Sequence, residues 1–213
     1  MVDPTYLKQL ISYCENLSHP ESEVLHQLER STFLNTTSPQ MISGKLQGRI
    51  LSFISKLKKP KHVLDIGSFT GYSAMCLAEG LSANGLVHSI EITNDYDHIR
   101  EKILSGDPLF HKIIWHKGDA LEIIPQLNLE WDLVFLDASK LKYLAFLECL
   151  EPIMQSGSIL IADNVLWYGK VLNPQQDAET LTLHRYNETL KVSLNWETFI
   201  LPVRDGLSIS IKK

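Results

Sequence analysis

The stretch HVLDIGSFTGYS, residues 62–73, decides the fold. An apolar run of strand length gives out at Gly67, and Gly71 opens a helical pattern over residues 72–81. The same rhythm continues outward through LVHSIE (residues 86–91), KIIWHKG (112–118), WDLVFLD (131–137) and GSILIADN (157–164). Helical patterns separate these runs, among them one over residues 140–154. Near-continuous apolar strands joined by helices predict a parallel sheet covered on both faces. The end of the chain changes character, because WETFILPV (196–203) and LSISIK (207–212) flank a short RDG. That pattern predicts an antiparallel hairpin with a tight Asp-Gly connection.

Upstream of residue 61 the periodicity is helical, with Leu7, Leu10, Ile11 and then Val24, Leu25, Leu28 at helical spacing. HPESEVLHQL supplies a helix start, with Pro20 and two early glutamates. Over residues 41–57 the positions Ile42, Leu46, Ile50, Phe53, Ile54 and Leu57 fall on one side of an amphipathic helix. The expectation is an α/β, Rossmann-like, doubly wound and mostly parallel seven-stranded sheet with extra N-terminal helices. Residues 1–58 form a helical cap or dimerisation segment, residues 61–213 the core, and no repeat or linker divides the 213 residues into domains.

Bulk properties exclude several classes. A formal charge of −5 and a pI near 5.9 argue against a large non-specific nucleic-acid surface. Cys14, Cys76 and Cys149 are odd in number and far apart, which suggests neither a disulfide framework nor a thiolate zinc site, and points to a reducing compartment. The start has no basic leader with an apolar core, and no window approaches the roughly 18 apolar residues that cross a bilayer. A cytoplasmic protein without a membrane partner is expected.

In an open parallel sheet, ligands sit at the carboxyl ends of the strands, near the switch in connection direction. Gly67 and Gly71 there permit a tight turn and close approach of a ligand to the backbone. Asp65 beside that loop would repel a pyrophosphate but suits an ammonium or sulfonium group. Glu91 ends the next strand, where a carboxylate accepts from ribose hydroxyls, and Asp119 with Ala120 follow the third, in position to meet an adenine. S-adenosylmethionine fits all three. The competing role for each acidic residue is a helix cap or solvated decoration.

VFLDASKLKY (134–143) and ILIADNVLWYG (159–169) then put Asp137, Asp163 and Asn164 at the ends of two strands. Two carboxylates and an amide carbonyl are hard oxygen ligands of the kind magnesium takes, with calcium and manganese as alternatives. Neighbouring carboxylates repel unless a cation sits between them, which favours a metal over two helix caps. Lys140, three residues beyond Asp137, can face the same ligand as a general base or stand as a solvated helix-terminal lysine. Tyr143 reads as packing.

These residues carry a resemblance. MISGKLQGRIL, VLDIGSFTGYSA, SIE, GDAL, DLVFLDASKLKY, ILIADNVLWYGKV and PVRDGLSISIKK, in this order from Met41 to the last residue, resemble the cation-dependent class I O-methyltransferases, which include the caffeoyl-CoA and catechol enzymes. The resemblance implies that Met41 and the backbone of Ser43 contact the cofactor, and that Asp65, Gly67, Phe69 and Ser73 hold its methionine part. It also gives the ribose to Glu91 and the adenine to Asp119 and Ala120, with Asp137 shared between cofactor and metal. Asp137, Asp163 and Asn164 become the metal set, and Lys140 the base. Ser139 departs from the family, whose usual motif is DADK where this chain has DASK.

A hydroxylated aromatic acceptor such as a vicinal diol follows from the resemblance, as does a homodimer. Methylation of a modified uridine in transfer RNA is the alternative, with Lys56, Lys58, Lys59 and Lys61 as its basic patch. A non-catalytic binding protein would show a broken motif, and none is broken. Trp167 and Tyr168 can wall an acceptor pocket or simply pack. His62, His88 and His116 are expected to be structural, and Arg204 with Asp205 to serve the hairpin turn. Acceptor shape would depend on the N-terminal helices and on residues 169–182.

Overall fold

The apolar runs form β1 (His62–Ile66), β2 (Leu86–Glu91), β3 (Ile113–Lys117), β4 (Trp131–Leu136) and β5 (Met154–Asp163), all parallel. They belong to a computed structural model that describes residues 4–175 and 177–213, with backbone alone at positions 4, 5, 7 and 8. The packing expected of Leu7, and position 176 in the acceptor loop, therefore lie outside the described residues. β6 (Trp196–Leu201) and β7 (Leu207–Lys212) complete one sheet in the order β3-β2-β1-β4-β5-β7-β6, with β7 antiparallel to both its neighbours. The chain steps outward from β1 to β3 and returns to β4. The switch point therefore lies between β1 and β4.

The hairpin connection is wider than a tight Asp-Gly turn and spans residues 202–206. Its backbone is engaged elsewhere, since the carbonyls of Asp205 and Gly206 accept from Leu166 N–H (2.9 Å) and Val165 N–H (3.1 Å) in the loop after β5. Alternate residues of each strand feed opposite cores. Val63, Leu133, Phe135 and Ile161 pack under α2 (Glu23–Asn35), α3 (Gly44–Lys58), α4 (Tyr72–Ala78) and α5 (Asp97–Leu104). Leu64, Val134, Leu136 and Leu160 pack under α6 (Ala120–Leu127), α7 (Tyr143–Leu150) and α8 (Ala178–Val192). The helix expected over 140–154 is split into a 3-10 turn at Lys140–Lys142, α7, and a second 3-10 turn at Glu151–Ile153, where Pro152 cannot continue the helical ladder. α1 (Pro4–Leu17) precedes them all, and α2 starts at Glu23, leaving Pro20 and Glu21 outside it. Among the described residues no helix is long and apolar enough to cross a membrane.

α3 departs in part from its expected pattern. Of its apolar stripe, Ile42 is buried just ahead of the helix and Ile50 and Ile54 pack half-buried on the core, but Phe53 is 65% and Leu57 72% exposed, and the fully buried positions are Gln47, Gly48, Leu51, Ser52 and Ser55. The reason is how closely α4 approaches. A Cβ on Gly48 would lie 2.6 Å from the Tyr72 ring, and one on Gly80 would lie 2.1 Å from the Ser55 carbonyl carbon. Only small or hydrogen-bonded side chains fit between the helices. Ser55 Oγ donates to Leu77 O (2.6 Å), and Ser52 Oγ to Glu79 (2.7 Å).

Glu79 also accepts from Arg49 (2.6 and 3.0 Å) and Lys56 (2.7 Å). Burial alone would raise its carboxyl, but these donors hold it down at about 2. A carboxyl depressed in the fold stabilises it above the unfolded value of about 4.3 and loses that contribution as pH falls toward the folded one. Glu79→Ala strands the half-buried Arg49 guanidinium and is expected to cost about 3 kcal/mol in urea unfolding at neutral pH. The gap from the parent chain should narrow as pH drops from about 4 toward about 2.

Candidate functional site

A cavity of about 520 Å³ opens at the carboxyl ends of the central strands, walled by Met41, Gly67, Phe69, Glu91, Asp119, Ala120, Asp137, Lys140, Asp163 and Asn164 among others. A small recess that shares Met41, Gly67, Phe69 and Asp137 with it adds Ser43 and Ser73. Of the residues expected from the sequence, Asp65 alone lines neither space, because it is fully buried at the end of β1.

The loop from β1 into α4 is built on positive backbone angles, with φ of 100° at Gly67, 47° at Phe69 and 93° at Gly71. Gly67 N–H donates to Ile90 O (2.9 Å), and Phe69 N–H to Glu91 Oε2 (2.7 Å), which ties the loop to the end of β2. Asp65 Oδ2 accepts from Ser89 Oγ (2.6 Å), while its Oδ1 is buried with no hydrogen-bond partner among the described residues. Burial lifts this carboxyl to about 7, against the pull of the Ser89 and Ser73 hydroxyls. An orphaned buried acceptor beside a glycine loop fits a ligand that brings an ammonium donor. Asp119 is also a helix cap, its Oδ1 accepting from Leu121 N–H (3.0 Å), and its Oδ2 pairs with Lys142 (2.6 Å). The Lys142 hydrogen bond keeps the Asp119 carboxyl below the usual range.

Asp137 sits where β4 ends, its N–H on Ile66 O (2.8 Å). Lys140 is buried, and its Nζ donates to Asp137 Oδ1 (2.8 Å) and Tyr143 Oη (3.1 Å). It is therefore not a solvated lysine. Tyr143 does more than pack, since its hydroxyl donates to Asp163 O (2.7 Å) and so joins the ends of β4 and β5. Asp163 is 4% exposed; its Oδ1 accepts from Asn164 N–H (2.8 Å) and its Oδ2 from Gln47 Nε2 (2.9 Å). Burial, then the Asp137 charge, raises the Asp163 carboxyl. A hard cation among Asp137, Asp163 and Asn164 would relieve that repulsion, so the donor set fits one.

Trp167, Tyr168 and Gly169 hold φ of 46°, 56° and 75° in succession at the rim. Trp167 and Tyr168 both line the cavity, with ring centroids 5.5 Å apart. Ser139 lines it too. Arg204 and Asp205 do not serve the hairpin turn alone. Arg204 lines the cavity and donates through Nη1 to Ile42 O (3.0 Å), and the Asp205 carboxylate accepts from Tyr168 N–H. Gln40, Glu179 and the buried Gln47 are further residues at or behind the walls that the sequence reading missed. No local pattern marks them: Gln40 sits in the 3-10 turn Pro39–Met41, Gln47 on α3 and Glu179 on α8.

Among the described residues no histidine lines the cavity. His88 Nδ1 lies 3.0 Å from His116 Nε2, and burial, then the neighbouring His116, pushes His88 down to about 4. The lysine patch is partly spent, Lys56 on Glu79 and Lys58 on Gly157 O (2.8 Å).

Comparison with known proteins bears on this geometry. A family model described as O-methyltransferase matches residues 15–213. Caffeoyl-CoA O-methyltransferase 3 of Nicotiana tabacum is 31% identical over 183 residues, 79% of this chain and 75% of its own length. Caffeoyl-CoA O-methyltransferase of Stellaria longipes is 28% identical over 200 residues, 88% and 83% of the two chains. Among solved structures, the O-methyltransferase TomG of Streptomyces achromogenes, in complex with SAM, superposes with a TM-score of 0.91 at 24% identity over 100% of both chains. The O-methyltransferase of Bacillus cereus, in complex with SAH, gives 0.88 at 23% identity over 96% and 97%. At these identities the superpositions speak to the fold.

Proposed function

Because the chain belongs to the O-methyltransferase family, we propose that it moves the methyl group of S-adenosylmethionine to a hydroxyl of a catechol- or caffeoyl-like vicinal diol, with a divalent cation, magnesium first, in the site. The observation that carries the reading is that Glu91, Asp119, Asp137, Lys140, Asp163 and Asn164 wall one cavity at the β1/β4 switch point. The unpartnered Oδ1 of Asp65 supports a cationic cofactor, and the raised Asp163 carboxyl beside Asp137 supports a cation.

In this reading Asp65, Gly67, Phe69 and Ser73 would hold the methionine part, with Met41 and Ser43 alongside. Glu91 would take the ribose, and Ala120 with Asp119 would lie against the adenine. Asp137, Asp163 and Asn164 would hold the cation, Asp137 also bordering the cofactor. When bound, the cofactor supplies an electrophilic methyl on sulfur, and the cation lowers the pKa of the diol hydroxyl. As the neutral amine, its own ammonium proton first given up to solvent, Lys140 Nζ would accept the hydroxyl proton as the carbon–sulfur bond breaks and the carbon–oxygen bond forms. Trp167 and Tyr168 would flank the flat ring. Most of the rate gain is then positioning and preorganised charge.

Exposed Phe53 and Leu57 on α3, Tyr13 and Leu17 on α1 and Phe33 and Leu34 on α2 support a homodimer. Sedimentation of the chain reads this directly, and a monomer at micromolar concentration would remove it. The function itself is tested by methyl transfer from labelled S-adenosylmethionine to a catechol panel and to bulk transfer RNA, each with magnesium and with chelator. Magnesium-dependent label on a catechol is expected. Label on RNA alone would replace the acceptor, and label insensitive to chelator would remove the cation.

A further inference from the structure

Gln47 stands behind the walls of the cavity. It sits on the buried face of α3 at 1% exposure, and its amide points away from its own helix. The Nε2 group donates 2.9 Å to Oδ2 of Asp163, a residue 116 positions later at the end of β5. We propose that Gln47 is a positioning residue for the cation site, setting the rotation of the Asp163 carboxylate. The proposal rests on the reading of Asp137, Asp163 and Asn164 as cation ligands.

Each oxygen of Asp163 has its own donor. The Asn164 N–H reaches Oδ1 from the next residue in the chain, so it travels with Asp163 and leaves the carboxylate plane free to swing. Gln47 reaches Oδ2 from a different layer of the protein. The two donors together fix that plane relative to α3 and leave one lone pair on each oxygen for a ligand. A group that orients a metal-binding carboxylate in this way typically contributes ~10–100-fold to metal affinity.

The placement is otherwise hard to account for. The rest of that face is Gly48, Leu51, Ser52 and Ser55, chosen for close approach to α4. A buried glutamine there carries the cost of desolvating an amide, and its bond to Asp163 offsets it. Helix packing alone would be served by a small apolar residue.

The test is calorimetric titration of the full chain with manganese(II) alone, and separately with S-adenosylhomocysteine. Gln47→Met keeps the length of the side chain and removes the donor. Gln47→Asn keeps the amide but withdraws it by one methylene, and its smaller volume protects folding. Both are expected to bind manganese about 10-fold more weakly with cofactor affinity unchanged. Methyl transfer lost at low manganese should return at saturating manganese, a split that a general loss of structure would not produce. Manganese affinity equal to the parent in both variants, with Asp163→Ala unable to bind it, would overturn the role of Gln47. A parallel fall in S-adenosylhomocysteine affinity would overturn it too, by marking Gln47 as merely structural. Parent-like manganese binding by Asp163→Ala would instead overturn the cation reading, and the inference with it.

Discussion

Asp163→Ala is expected to lower methyl transfer by at least about 1,000-fold, the several kcal/mol that a bound cation contributes to such a step. Two of the three proposed oxygen ligands would remain, and one of these, Asp137, already gives an oxygen to Lys140 Nζ. Cofactor affinity should hold, because the side-chain hydrogen bonds of Asp163 go to Gln47 and Asn164 rather than to Gly67, Glu91 or Asp119. The thermal readout separates the cation from simple damage. Burial and Asp137 both raise the Asp163 carboxyl, so its charge opposes folding at neutral pH when no cation is present. Against that, the variant leaves the Gln47 amide without an acceptor. The two effects have opposite sign, so the melting temperature without metal should move little. The rise expected from magnesium in the parent chain should be absent from the variant. Normal turnover by the variant would sink the cation assignment.

Gly67→Ala carries the second large effect, and it works through the backbone. A Cβ at this position would sit 1.8 Å from the Asp137 carbonyl oxygen and 2.8 Å from its carbon. No rotamer can relieve a clash with main chain, and φ of 100° is strained for alanine in any case. A loss of about 4 kcal/mol or more is expected, at the extreme of what single substitutions do. Any backbone movement that accommodates the methyl must shift Asp137, so cation and cofactor affinity should fall together in whatever folds. Gly157→Ala is the control, since Gly157 has φ of 82° but nothing within 4 Å of its added Cβ. It should cost only the backbone strain, about 1 kcal/mol. Urea unfolding of the two variants reads the difference. Equal stabilities would mean that β1 and β4 do not approach at their carboxyl ends as closely as described.

Both predictions concern the place where β1 and β4 end, and that place is legible from residue order. LVHSIE and LSISIK are strands β2 and β7 to the residue, and the remaining apolar runs contain or overlap the others. Strand period and turn residues are local properties, and right-handed crossovers then leave few topologies. Once the order of strands follows, so does the rule that their carboxyl ends share one crevice. Glu91, Asp119, Asp137, Asp163 and Asn164 each stand at or just beyond a strand end, and they line one cavity.

α3 shows where that kind of reading stops. Its apolar stripe predicts an amphipathic helix, and Ile50 and Ile54 do pack on the core, yet the fully buried positions are Leu51 with a glutamine, a glycine and two serines. Periodicity measures which side of a helix is oily, whereas burial depends on what comes to lie against it, here α4 at glycine distance. Arg204 and Asp205 read as turn residues until the hairpin folds back onto Ile42 and Tyr168. Asp65 and Asp119 are placed by the strands that carry them, but Ser89 and Lys142 decide which of their oxygens are taken.

The sequence by itself determined the order of strands and helices, the hairpin at the end, and the acidic residues at the strand termini, because each is written in spacing and residue type over a few positions. Only the tertiary structure decided the buried face of α3, the partners of each carboxylate, and the reach of Gln47 to Asp163. Those depend on contacts between segments far apart in the chain, whose energies no local pattern encodes.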